Sequence, residues 1–430
     1  MKEINVGLCG LGTVGTGVVK ILKDHQEEIK YKLGCEIVVK KVLVSDINKQ
    51  RDVEIDPSWL TTDPDQLVNN KDIDVIIEVM GGIENTNILL EQALRNKKHI
   101  VTANKDLMAV HGQKLLKLAK NNNCDIYYDA SVAGGIPILR TLSDGLASDR
   151  IQKIMGIVNG TTNYILTKMT DEKLAFEKVL KEAQELGFAE ADPTSDVEGL
   201  DAARKMTLLA NLAFKMEISL DDVVVSGISD ITQEDISFAS SLGYTIKLIG
   251  IASISNGKVE VSVEPTLLPQ DHPLALVKNE YNAVYVYGES VGETMFYGPG
   301  AGSLPTATAV VSDLMEVIKN IRLGISGNAY VYPQYKTQLK ENKEKYTKYF
   351  IRMEVNDEAG TFQEITNIFT AESVSFAKIL QLPGSTKETA EIVMVTHKIS
   401  KQQLLNSLDE LKGLSVVSDI ISYYRVDGEE

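Results

Sequence analysis

Cysteine, histidine and tryptophan are scarce in this chain, with three, five and one among 430 residues. Cys9, Cys35 and Cys124 are widely spaced, which fits neither a disulfide framework nor a zinc site. The histidines show no HxxxH or HExxH spacing, so transition-metal chemistry lacks a ligand set. Proton transfer falls instead to carboxylates, lysines or tyrosines. Apolar runs are short everywhere, below the roughly 18 residues a membrane span needs. The opening MKEINVGLCG passes straight into a strand pattern without the segments of an export signal. A cytoplasmic protein with no membrane partner is the expectation. Basic residues are also in deficit: 44 Lys and Arg against 60 Asp and Glu leave a net charge of -16. A surface of that sign repels polyanions, which excludes nucleic acid as a partner.

What is present is ample apolar material, 43% of the chain, and a length that implies two or three domains. The first block, residues 1–130, alternates strand-like INVGLCG, EIVVKKVLVSD, DIDVIIEVMGG, KHIVTAN and DIYYD with helical stretches. That rhythm predicts an α/β fold, a Rossmann-type doubly wound parallel sheet. Residues 131–328 carry IQKIMGIVNG, YTIKLIGIASI, KVEVSVEPTLL and NAVYVYGES, the strands of a second, α+β domain. A helical stretch at 306–328 is expected to pack back on the first block. Residues 329–347 are charged and read as a linker. From 348 to 430 the order strand, helix, strand, strand, helix, strand predicts a ferredoxin-like βαββαβ module.

GLGTVG follows the first strand and opens the first helix. Gly10 allows the tight turn, Gly12 lets backbone approach a pyrophosphate, and Gly15 lets helix pack on strand. Thr13 and Val14 place their N–H groups at the helix N-terminus, where phosphates bind. The dinucleotide is left open: Asp46 would suit the ribose of NAD, and Lys40 or Lys41 the 2′-phosphate of NADP.

The segment 187–205, GFAEADPTSDVEGLDAARK, sets five carboxylates beside one lysine. Ser195 and Glu198 have the spacing of a capping box, so a helix is predicted to start near Ser195 or Asp196. Val197, Asp201 and Lys205 then share one face, and Glu190 is brought toward the helix entrance by the Asp192-Pro193 turn. Lys105 follows VTAN at the C-terminal end of a predicted parallel strand, where open α/β sheets bind ligands. Two lysines beside a nicotinamide suit carbonyl reduction, because hydride addition leaves an alkoxide that needs a proton and a counter-charge.

The string from Ala183 and Gly187 through FAEADP to Asp196, Val197, Gly199, Asp201 and Lys205 resembles the signature of homoserine dehydrogenases. VTANKDLMA, ASVAGGIPIL, NGTTNYIL and YGPGAGSLPTATAVVSDL resemble segments of the same family. The resemblance covers the first two blocks, and the tail is similar to the ACT module of the longer bacterial members. It implies NAD(P)-dependent interconversion of L-aspartate 4-semialdehyde and L-homoserine in threonine and methionine biosynthesis. Lys205 matches the proton donor, and Lys105 the second lysine near substrate and nicotinamide. Glu190, Asp196 and Asp201 match acids that bind substrate or position Lys205, and Gly187 and Gly302 match backbone close to the cofactor. A monovalent cation, usually sodium, is implied at Asp129, Val132, Gly134 and Ile136, with aspartate here in place of the usual glutamate. The second block is then the substrate-binding and dimerisation domain of a homodimer or homotetramer. The tail is implied to sense an amino acid such as threonine or to oligomerise, although Ala359 stands where its effector loop usually has proline.

Two other classes fit the residues. One is a different NAD(P) oxidoreductase on the same scaffold, which substrate screening separates. The other is a non-catalytic amino-acid sensor, against which the presence of both Lys105 and Lys205 argues. A fused aspartate kinase is not expected, since no residues here are left to encode it.

Overall fold

The computed structural model describes residues 3–327 and 333–428. The end of the expected second domain and the start of the expected linker, residues 328–332, lie outside them. The chain divides into two compact units: Met1–Ile154, Ala203–Asp222 and Asn282–Thr337 in the first, Met155–Ala202, Val223–Tyr281 and Gln338–Glu430 in the second. This partition differs from the linear one expected, because parts of the second block join the first unit and the tail joins the remainder.

The first unit contains β1 (Glu3–Cys9), β2 (Glu36–Leu43), β3 (Leu60–Thr61), β4 (Val75–Glu78), β5 (His99–Thr102) and β6 (Ile126–Tyr127). They form a sheet in the order β3-β2-β1-β4-β5-β6, and every neighbouring pair is parallel. The strand order reverses between β1 and β4, and the crevice at such a switch point is where doubly wound sheets bind ligands. The helix Ser303–Leu323 buries Ala307, Val310, Leu314, Val317 and Ile318 in the same core as Ile4, Val6 and Leu8 of β1. The reason is its apolar stripe at helical spacing.

β7 (Ile151–Ile157) leads from the first unit into the second, which contains β8 (Val224–Val225), β9 (Tyr244–Ser255) and β10 (Lys258–Pro269). β11 (Tyr281–Gly288) and β12 (Gly292–Pro299) return to the first unit. The tail holds β13 (Tyr346–Asn356), β14 (Phe376–Pro383), β15 (Thr389–Thr396), β16 (Ile399–Ser400) and β17 (Val417–Val426). Helices Thr361–Ala371 and Lys401–Leu411 complete a βαββαβ order with strands arranged β17-β13-β15-β14. The module has its own core, built on Tyr349, Ile351, Ile365, Phe369, Ile392 and Leu404.

It is nevertheless continuous with the rest of its unit. β17 pairs in parallel with β10 through Thr266 and Arg425, while β10 pairs antiparallel with β9 along its whole length, so the sheet is mixed. The charged stretch read as a linker is docked along β10. Val259 N–H donates to the Gln338 carbonyl at 2.8 Å, Lys340 N–H donates to the Val259 carbonyl at 2.8 Å, and Lys258 pairs with Glu344 at 2.5 Å. Glu344 and Lys340 are thus engaged by β10, the latter with Glu260 at 3.6 Å. A second tie is the buried Asp235, which accepts from Arg352 at 3.1 Å, Ser422 at 2.7 Å and Tyr424 at 3.0 Å.

Lys247 on β9 is 3% exposed and donates to Asn163 Oδ1 at 2.8 Å and the Val277 carbonyl at 2.6 Å. It ties the helix Gly160–Glu172 to the loop before β11. Burial pushes its pKa down from 10.5 to about 7. Between those values the unfolded chain holds the extra proton, so stability rises with pH above about 7 and is insensitive to this group below it. Denaturant unfolding across the pH range is expected to show this gain in the intact chain and to lose it in Lys247→Met. An unchanged slope in the variant would contradict the assignment.

Candidate active site

The glycine loop closes the switch point by contact, not by composition alone. Gly10 has φ +100°, and a Cβ there would lie 2.8 Å from the Val79 carbonyl oxygen. A Cβ on Gly15 would stand 2.2 Å from the Gly10 oxygen, whereas one on Gly12 would meet nothing within 4 Å. Gly10 and Gly15 are thus required by the protein, and the space over Gly12 is left for a ligand. The helix Thr13–Asp24 begins at Gly12 without a side-chain cap or an acidic first turn, so the N–H groups of Thr13 and Val14 face an uncompensated positive dipole end. Gly302 (φ +122°) starts the helix Ser303–Leu323, and Ser303 Oγ donates to the Thr13 carbonyl at 2.6 Å.

A cleft of about 420 Å³ beside the loop is lined by Gly10, Gly12, Ser45, Lys49, Arg51 and Met80 among others. Lys40 is half-buried within β2 and does not line it. Lys41 donates to the Ser58 carbonyl at 2.9 Å, and Asp46 caps its own turn by accepting from Asn48 N–H at 2.8 Å. Lys49 and Arg51 reach the cleft from the turn after β2, and nothing in the strand pattern marks them, because the Arg51 guanidinium folds back on the carbonyls of Ile47 and Lys49.

At the ends of β4 and β5 a buried network sets the start of the Lys105 helix. Glu78 accepts from Thr102 Oγ1 at 2.6 Å, Met80 N–H at 2.9 Å and Gly81 N–H at 3.0 Å. Its burial raises the carboxyl pKa, with these hydrogen bonds opposing. Asn104 accepts from Leu107 N–H at 3.0 Å as the cap of the helix Lys105–Asn121, and donates to the Gly82 carbonyl at 2.7 Å. Lys105 therefore emerges from a fixed turn at the carboxyl edge of the sheet, with its ammonium 4.0 Å from Asp106. Arg204 Nε reaches Asp106 Oδ1 at 3.0 Å, which joins the chain neighbours of Lys105 and Lys205.

The acidic segment departs from the single helix expected. Thr194–Val197 is one short turn, and the main helix runs Leu200–Phe214. Gly199 at φ +79° separates them, and Glu198 accepts from Ser229 Oγ at 2.6 Å instead of completing a capping box. Val197 thus leaves the face of Asp201 and Lys205, which stay one turn apart on the longer helix. Asp201 is 6% exposed. Asn159 Nδ2 donates to Asp196 Oδ1 at 2.7 Å and to Asp201 Oδ2 at 2.9 Å, bringing the two acids together across a long sequence separation. Its Oδ1 caps the helix Gly160–Glu172 through Thr162 N–H at 2.9 Å. Glu190 is exposed, with its backbone carbonyl held by Gln184, and Gly187 turns the chain at φ +78° in open space.

Asp129 is buried, its N–H donating to Asp313 Oδ2 at 2.9 Å and its Oδ1 accepting from Leu139 N–H at 2.8 Å. Burial raises the Asp129 pKa to about 6, opposed by the Leu139 hydrogen bond and the Arg140 charge. Asp313 is 0% exposed and its Oδ1 has no hydrogen-bond partner among the described residues. Val132, Gly134 and Ile136 are buried on the same loop, and a Cβ on Gly134 would stand 2.3 Å from the Gly300 oxygen. The Ile136 carbonyl already accepts from Ile138 N–H at 2.8 Å. Among the described residues no three His, Cys, Asp or Glu side chains are grouped to hold a metal ion, so any cation here relies on main-chain oxygens. Two buried carboxyls with an orphan oxygen suit a monovalent charge.

Alanine at Gly12 and at Gly15 separates the two glycine roles. Gly15→Ala is expected to lower the thermal midpoint without ligand. Gly12→Ala is expected to leave that midpoint in place and weaken dinucleotide affinity about tenfold or more, read by fluorescence titration.

Comparison with known proteins agrees with this geometry. The family described as "Homoserine dehydrogenase, NAD binding domain" matches residues 10–129, and "Homoserine dehydrogenase" matches residues 137–315. The homoserine dehydrogenase of Bacillus subtilis (strain 168) is 61% identical over 429 residues, covering 100% of this chain and 99% of the relative. The crystal structure of a homoserine dehydrogenase from Thiobacillus denitrificans superposes with a TM-score of 0.93 at 37% identity, covering 100% of this chain and 99% of that one. A hyperthermophilic archaeal homoserine dehydrogenase, solved in complex with NADPH, matches at TM-score 0.62 and 25% identity over 74% of this chain and 98% of its own. With its parallel nucleotide-binding sheet and full-length match, the chain belongs to the homoserine dehydrogenase family, whose members are NAD(P)-dependent oxidoreductases.

Proposed function

We propose that Lys205 and Lys105 carry the proton and the charge compensation in the family's reaction, the interconversion of L-aspartate 4-semialdehyde and L-homoserine. The bound nicotinamide supplies or accepts the hydride. In the reducing direction the Lys205 ammonium donates its proton to the oxygen left negative at the former aldehyde carbon, and Lys105 offsets that charge as it develops. In the oxidising direction the Lys205 amine takes the hydroxyl proton. Asp196 receives the substrate's α-ammonium, Asp201 orients Lys205, and Glu190 is a further substrate-binding carboxylate. The observation that supports this reading best is the Asn159 amide, which joins the Asp196 carboxylate to that of Asp201, one turn ahead of Lys205 on the same helix.

NADP is the favoured dinucleotide. The cleft past β2 is lined by Ser45, Lys49 and Arg51 with no carboxylate among its lining residues, as a 2′-phosphate requires. Gly187 and Gly302 supply backbone near the cofactor. A monovalent cation such as sodium is proposed at Asp129 with the carbonyls of Val132, Gly134 and Ile136. It would supply countercharge and hold the loop, without entering the proton transfer. The tail fits an ACT module that joins copies of the chain in a homodimer or homotetramer. Its Asn356–Gly360 turn, where Gly360 has φ +105° at the start of a helix without a side-chain cap, is the proposed binding point for an amino-acid effector such as threonine.

Steady-state oxidation of L-homoserine tests the assignment. Lys205→Ala is expected to lose about 10³-fold in kcat while retaining nucleotide affinity, and Arg51→Ala to lose about tenfold or more in kcat/KM with NADP but not with NAD. Equal turnover in Lys205→Ala would refute the proton-donor role. For the cation, sodium is expected to raise the thermal midpoint of the intact chain and to have no effect on Asp129→Asn; an equal rise in both would refute the site.

A further inference from the structure

We propose that Asp106 and Arg204 are positioning residues for the two lysines, acting as a clamp between the helices that carry them. This rests on the reading of Lys105 and Lys205 given above. Asp106 follows Lys105 in the first turn of the helix Lys105–Asn121, and Arg204 precedes Lys205 on the helix Leu200–Phe214. The two oxygens of Asp106 divide their work: Oδ1 accepts from Arg204 Nε at 3.0 Å, and Oδ2 stands 4.0 Å from the Lys105 ammonium. One carboxylate thus holds a guanidinium belonging to the second helix and the ammonium of the first.

Helix geometry turns this pair into a constraint on Lys205. Successive residues on an α-helix are rotated by about 100° around its axis, so fixing the direction of Arg204 toward Asp106 fixes where Lys205 points. Asn104 and the Glu78 network hold the other side of the clamp, because they set the turn from which Asp106 leaves. The side chains of Asp106 and Arg204 are 37% and 27% exposed, and an ion pair this open to solvent adds little to folding stability. A pair with little structural value that lies between both lysines has alignment as its function: the lysines must stay on the reacting oxygen, where small misplacements are costly in rate.

The test is a double-mutant cycle on homoserine oxidation with Asp106→Asn, Arg204→Ala and the double variant, together with Lys105→Ala and Lys205→Ala. Each clamp variant is expected to lose about tenfold in kcat, with KM for the dinucleotide and the thermal midpoint unchanged. The double variant is expected to fall no further than Asp106→Asn alone, because that variant already removes the bond to Arg204. Arg204→Lys, which keeps the charge without the directed Nε bond, is expected to recover only part of the rate. Multiplying losses, an unchanged kcat, or a kcat loss that follows a lowered thermal midpoint would overturn the clamp. If the two lysine variants themselves keep full turnover, it is the underlying reading of the lysines that fails.

Discussion

The arrangement of the site depends on one amide. Asn159 must cap the helix Gly160–Glu172 with its oxygen, which aims its nitrogen at the acidic segment, and that nitrogen has two protons for two carboxylates. Asp196 and Asp201 would repel one another if left alone. With a shared donor between them they stay close. Aspartate at position 159 would cap but not donate, and serine would supply one proton. Only asparagine meets all three demands at that distance from the backbone. From Asp201 onward the helix carries the consequence to Lys205.

The first unit solves a matching problem for Lys105. A parallel sheet ends its strands at one edge, and the side chains there are placed by whatever holds the loops. Here a buried carboxylate does so: Glu78 collects a hydroxyl and two backbone N–H groups, and its neighbours Thr102 and Asn104 fix the helix start. Next to it lie the three glycines of the first turn, two of which are demanded by protein contacts while the third faces open space.

What could be read from the sequence follows the range of the forces involved. The glycine loop, the parallel strands and the βαββαβ tail rest on local sterics and short periodicities, and these appear in any short window of sequence. The positions of Lys105, at the start of its helix, and of Lys205, one turn after Asp201, follow from spacing within their own segments. Asn159, Glu78, Asp106 and Arg204 were not, because each acts through a partner distant in the chain, and a lone amide or acid carries no sign of who it will meet. The predicted capping box failed for a related reason. Ser195 and Glu198 have the right spacing, but Gly199 breaks the helix and Ser229 takes the Glu198 carboxylate. The charged stretch near residue 340 looked like a tether, since its partners Lys258, Val259 and Glu260 lie on a strand some eighty residues earlier.

Asp196, which Asn159 joins to Asp201, is the proposed receptor for the substrate's ammonium group. The direct measurement is the ratio of kcat/KM for L-homoserine to that for 4-hydroxybutanoate, which lacks the amino group, in the intact chain and in Asp196→Asn. This assignment predicts a ratio on the order of 10³ or more for the intact chain, as sites built to bind a polar group reject analogues without it, and a collapse of that ratio in the variant. A ratio that survives the substitution unchanged would contradict it.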